Sequence, residues 1–256
     1  MALSPAQRFH ARKLAQKAAA SAAAAPAGAR ELRGAPASEY ELLRARLGVD
    51  LRRLKTIQAT DRKIEAKREM IAAYLPWVEG VIDAGKLMPR GKAEPDDIVI
   101  HMMIWALDLQ DYAVAFPIVE HVLAHDLPLP ERFSRTAPAL IVEEIADAAL
   151  KRLGQGEDAD IEPLLLVEDL TADHDMHDEI RAKLLKAIGL QIVRDTEKLE
   201  PGADGPAGGR RAGVETALRY LRLAYGHSHT AGVKKDIDRL EREARKLAAE
   251  AATPPA

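Results

Sequence analysis

"SEYELLRARLGVDLRRLKTIQATDRKIEAKREMIAAYL", Ser38 to Leu75, decides how the chain is read. Ser38 followed by Glu41 is the spacing of a capping box and predicts a helix start. Apolar residues then recur every seven positions. Leu43, Ile57, Ile64, Ile71 and Val78 share one seam with Asp50. Leu47, Leu54 and Leu75 share the other with Asp61 and Arg68. This heptad, interrupted by charge, predicts a long helix over 39–85. Two readings stay open: a coiled coil that joins copies through Leu43, Leu47, Leu54, Ile57, Ile64 and Ile71, or a surface helix lying on its own core. Pro76 should kink or end the helix, because it lacks the amide hydrogen and clashes with the preceding turn.

Working outward, the rest of the chain also reads as helix. Aromatic residues make up only 4% of the 256 residues, while alanine and leucine abound. That balance favours helices packed on helices over sheets. On the N-terminal side, Ser4-Pro5 reads as N-cap and first helical residue of a helix reaching about Ala25. A Pro- and Gly-rich linker follows, giving a front segment 1–38. On the C-terminal side, helices are expected over Ile98–Leu109, Tyr112–His125, Pro138–Leu153, Ile161–Leu170 and Asp175–Arg194. Their lengths and short links suggest stacked hairpins forming a body over 86–200. A flexible linker is expected at 201–212. A last helix pair, Gly213–Tyr225 and Ala231–Ala249, occupies 213–256. The expected fold class is therefore all-α.

Charge is unevenly distributed. The net charge is −3, yet residues 1–70 hold 15 Lys/Arg against 7 Asp/Glu. The remainder is acidic. A basic front on an acidic body points to a polyanionic partner. Arg8, Arg12, Lys13 and Lys17 lie on the first helix, and Arg30 and Arg33 on the linker. Neutralisation of phosphate by such residues dominates DNA affinity, whereas nothing in them specifies a base sequence. The competing readings are a solvated face of a charged helix and, for an Arg-containing, acid-poor N-terminus, a transit peptide. There is no cysteine, so disulfides and thiolate metal sites are excluded. No apolar run is long enough to span a membrane.

Four stretches invite chemical readings. "GKLMPRGKA" (85–93) approaches a phosphate-binding loop, but it has five residues between its glycines and alanine in place of the hydroxyl residue. "ADHDMHDEI" (172–180) places His174 and His177 beside Asp175, Asp178 and Glu179; helix capping explains it more simply than a metal. Asp96 and Asp97 could hold Mg²⁺ for phosphodiester cleavage, or merely cap a helix. His227 and His229 in "GHSH" read as a polar turn. No metal site and no intrinsic cofactor are assigned.

Taken together, "SPAQR" (4–8), "LPWVEGV" (75–81), "DDI" (96–98), "RTAP" (135–138), "DMHDEIRAKLLKAIGL" (175–190) and "GVKKDIDRLERE" (232–243) resemble the small terminase subunit of P2-like tailed phages. The resemblance implies a DNA-packaging protein of the host bacterial cytoplasm. It implies recognition of double-stranded cohesive-end DNA as a homo-oligomer, and recruitment of a large subunit that carries the packaging ATPase, for which the C-terminal helix pair over 213–256 is the expected dock. The family is also described as an endonuclease subunit. The residues show no nuclease centre, so cutting is expected of the complex. Two alternatives stand: the chain itself is a Mg²⁺-dependent endonuclease using Asp96 and Asp97, or it is a helical adaptor that binds only protein.

Overall fold

The computed structural model describes residues 39–131, 133–199, 204–205 and 208–252. The expected basic helix at 4–25 and its linker lie outside the described residues. The described chain is all-α apart from a two-residue antiparallel ladder. It divides between Phe133 and Ser134 into two compact units.

The first unit contains α1 (Glu39–Thr56), α2 (Thr60–Ile71), α3 (Leu75–Gly85), α4 (Asp97–Asp108) and α5 (Tyr112–Ala124). The single helix expected over 39–85 is thus three. The first break, at 57–59, follows Thr56, whose hydroxyl donates back to the Arg53 carbonyl at 2.8 Å. Such local bonds compete with helix continuation. The second break precedes Pro76, which sits in the first turn of α3, where its missing N–H matters least.

Breaking the helix folds the heptad onto the unit's own core. Leu47, Leu54 and Ile71 are buried there, and Leu43, Ile57 and Ile64 are half-buried. Even Asp50, an apparent flaw in the seam, points inward: its carboxylate accepts a hydrogen bond from the buried Tyr74 hydroxyl at 2.6 Å. The core centres on α4, apolar on nearly every face and packed against α1, α2, α3 and α5. A helix hydrophobic all round belongs in the interior.

The second unit contains α6 (Ala137–Gly154), α7 (Ile161–Leu170), α8 (Asp178–Glu197), the ladder β1 (Asp204–Gly205) with β2 (Gly208–Gly209), α9 (Arg210–His227) and α10 (Lys234–Ala252). Its centre is α8, packed against α6, α7 and α9. The crossing of α8 and α9 is close because Gly189 leaves room for Leu221: a Cβ there would lie 2.7 Å from a Leu221 methyl. Gly213 makes the same allowance for Thr196. The C-terminal helix pair is present as the sequence suggests, with α10 against α9. It is not set apart beyond residue 212, however. Helix α9 begins at Arg210, inside the expected linker, and shares its core with α8. The boundaries expected at 85 and 200 therefore differ from the division at Phe133.

Candidate nucleic-acid interface

Helices α1 and α2 carry nine Lys and Arg residues. Five have carboxylate partners: Arg44 with Asp97 at 3.2 Å, Arg46 with Asp50 at 3.9 Å, Arg53 with Glu69 at 3.1 Å, Arg68 with Glu65 at 2.9 Å, and Lys67 with Asp108. The other four, Arg52, Lys55, Arg62 and Lys63, have no carboxylate within ion-pair distance among the described residues. They straddle the break at 57–59. Arg52, Lys55 and Arg62 are exposed and Lys63 is half-buried. Uncompensated cations on rigid helices are suited to phosphate, which accepts several such donors along a strand. The expected contacts Arg8, Arg12, Lys13, Lys17, Arg30 and Arg33 all lie outside the described residues.

On the outer side of α1, Leu42 and Val49 are 60% and 55% exposed, one heptad apart. They form a surface apolar pair that the seam reading passes over, because that reading follows Leu43 and Leu47.

The structure brings Asp96 and Asp97 together, and both are engaged. Asp96 is buried at the N-cap of α4. One carboxylate oxygen accepts from the amides of Ile98 (2.8 Å) and Val99 (3.2 Å), and the other accepts from the Trp77 indole at 2.8 Å. Tyr40 lies against Trp77 with ring centroids 5.6 Å apart. Burial, then the charges of Asp96 and Asp97, push its hydroxyl pKa up. With Arg44 on Asp97, this cluster pins the start of α1 to α3 and α4.

The histidine stretches meet in a way their separation in sequence conceals. His227, at the end of α9, lies 2.8 Å from the Asp178 carboxylate at the start of α8. His177 occupies the N-cap position of α8 without a side-chain cap bond. No group of three or more His, Asp or Glu side chains among the described residues is placed to hold a metal ion.

A buried pair not singled out in the sequence is His121 on α5 and His125 at its C-cap, one turn apart, with rings 4.9 Å apart. His125 Nδ1 accepts from the amides of Lys92 (3.4 Å) and Ala93 (3.3 Å). The His121 Nε2 atom is buried without a hydrogen-bond partner. Burial, then neighbouring His125, lowers its pKa. The pair packs against Gly85, where a Cβ would lie 2.3 Å from the His121 ring. Spacing i, i+4 within the apolar run "HVLAH" was the only signal available.

The family model for the phage small terminase subunit matches residues 44–179. The chain is also 40% identical over 207 residues to the terminase, endonuclease subunit of Escherichia phage P2, covering 81% of this chain and 75% of that protein. The chain belongs to the phage small terminase subunit family. It is accordingly a phage DNA-packaging protein. No solved structure matches it. The matched span of this small subunit runs from within α1 to the start of α8. It includes Arg52, Lys55, Arg62 and Lys63, the Trp77–Asp96 pair and the loop held by His125. No helix among the described residues is long and apolar enough to cross a membrane.

Proposed function

We propose that this small terminase subunit recognises cohesive-end duplex DNA as a homo-oligomer and recruits the large ATPase subunit for cutting and packaging in the host bacterial cytoplasm. One observation carries the reading. On α1 and α2, where the other five cations have carboxylate partners, Arg52, Lys55, Arg62 and Lys63 have none among the described residues. They continue in sequence the cationic segment 1–38. Weak phosphate contacts of this kind gain avidity when copies assemble. The exposed Leu42 and Val49 are the self-association surface, since Leu47, Leu54 and Ile71 of the expected seam are buried within the first unit.

The test is duplex binding by fluorescence anisotropy across a salt series. Each phosphate contact contributes about −0.9 to the slope of log K against log salt. Replacing Arg52, Lys55, Arg62 and Lys63 by alanine should flatten that slope by about 3 to 4. An unchanged slope removes these residues from the interface. Absence of binding in dilute buffer favours the protein-only adaptor.

The name of the phage P2 relative favours a second reading, in which this chain itself cuts DNA. Against Asp96 as a metal ligand stands its engagement with two amides and an indole. Nicking of cohesive-end DNA by the isolated chain with Mg²⁺, lost on Asp97→Ala, would establish the second reading.

A further inference from the structure

We propose that the loop following α3, residues 86–92, is a DNA wedge. In this assignment Leu87 inserts between base steps from the minor groove while Arg90 and Lys92 hold the flanking phosphates. The inference rests on the duplex-binding reading above and adds to it a contact that deforms the DNA.

Leu87 is 88% exposed, the most exposed of the large apolar side chains among the described residues, and the adjacent Met88 is 45% exposed. A leucine so placed is usually a chain-end or loop-tip accident, but this loop is fixed at both ends. The amides of Leu87 and Met88 donate to the carbonyls of Ala84 (3.1 Å) and Gly85 (2.9 Å), extending α3 by a turn. The Gly91 amide donates to the Ala124 carbonyl at 3.1 Å. Lys92 and Ala93 are tied to the buried His125 ring. Gly91 takes a positive φ of 72°, which lets the chain turn back. The loop tip is thus held forward on a rigid base.

Charge selects the partner. The stretch 85–93 contains Lys86, Arg90 and Lys92 and no acid. Lys86 has a partner in Asp83, on α3, at 3.2 Å. Arg90 and Lys92 have none among the described residues. An apolar tip flanked by Arg90 and Lys92, neither matched to a carboxylate among the described residues, fits a polyanion with an apolar interior. Duplex DNA has that construction: phosphate outside, stacked bases within. Minor-groove proteins combine Arg or Lys with an inserted Leu, Met or Pro, unstacking a step and bending the duplex. Lys86, Leu87, Met88, Pro89 and Arg90 supply that combination in five consecutive residues.

The experiment uses the full chain and closed circular plasmid. Plasmid is relaxed by a topoisomerase in the presence of the protein, stripped of protein, and its linking number read on a gel. Unstacking by a wedge untwists the duplex, so wild type should leave negative supercoils in proportion to protein bound. Leu87→Ala should bind with affinity within about twofold and an unchanged salt slope, yet leave the plasmid relaxed. Its melting curve should match wild type, since so exposed a side chain adds little to stability. Arg90→Ala with Lys92→Ala should flatten the salt slope by about 2.

Wild type that binds but leaves the linking number unchanged overturns the wedge and spares the duplex-binding reading. So does Leu87→Ala that supercoils as wild type does. Wild type that binds no DNA overturns both. If Leu87→Ala changes neither binding nor topology but abolishes co-purification with the large subunit, the loop is a protein-docking element and the wedge is refuted.

Discussion

If Asp96 holds the first unit together, the Trp77–Asp96 hydrogen bond should be measurable as a coupling. Asp96→Asn keeps an oxygen for the Ile98 and Val99 amides but turns an NH₂ group toward the Trp77 indole N–H. A buried donor left unpaired costs about 1–3 kcal/mol. Asp96→Ala loses the cap as well, about 1 kcal/mol more, for a total of roughly 3 kcal/mol. In a unit this size each kcal/mol lowers the melting point by about 4–8 °C, so Asp96→Ala should fall by on the order of 15 °C. The readout is specific to the first unit. Both tryptophans, Trp77 and Trp105, lie before Phe133, so tryptophan fluorescence follows that unit alone. Trp77→Phe removes the donor and retains Trp105 as reporter. The double-mutant cycle between Asp96→Asn and Trp77→Phe should give a coupling of about 1–2 kcal/mol. Coupling indistinguishable from zero, or Asp96→Ala melting within about 1 °C of wild type, would refute the structural role and return Asp96 to the nuclease reading.

Further outcomes are expected. His121 has a pKa lowered by burial, so between its ordinary value near 6.5 and its folded value the unfolded chain binds more protons. Stability from its neutral form is present above about pH 6.5 and is lost as pH falls through that window. The tryptophan-monitored melting point should drop from pH 7 to pH 5, and His121→Leu should reduce that slope. Gly189→Ala should cost about 2 kcal/mol by overpacking the Leu221 contact; calorimetry should show the second unit melting earlier. Leu42→Asp with Val49→Asp should lower the mass measured by light scattering without changing helicity, whereas Leu47→Ala should destabilise the first unit by about 2–5 kcal/mol.

The sequence made the helices after residue 96 legible because turn chemistry punctuates them. Asp96, Asp111 and Asp160 each cap the helix that follows, and each stands before an apolar run. The heptad was legible as well, but its meaning was not. Period alone states which side chains share a face, not what that face meets. Leu47 and Leu54 read equally well as a seam between copies or as core; what buries them is the packing of α1 on α4, some fifty residues on, which no local spacing states. The front segment's charge was plain, but which cations stay unpaired depends on partners far along the chain, such as Asp97 for Arg44 and Asp108 for Lys67. The fixed loop was invisible for the same reason: its anchor, His125, lies 33 residues beyond Lys92.

The way α8 is covered bears on how this protein can be dissected. Ala187, Ile188 and Ile192 keep out of water only because other helices, α9 among them, are packed against α8. A version stopped near residue 200 would bare an oily strip and stick to itself, and lost recruitment of the motor would then reflect clumping instead of a missing contact. Single exchanges on the outer faces of α9 and α10, at Arg219, Leu223 or Lys235 for instance, leave that cover intact. Such exchanges are the cleaner test of whether this end of the chain is where the proposed large subunit docks.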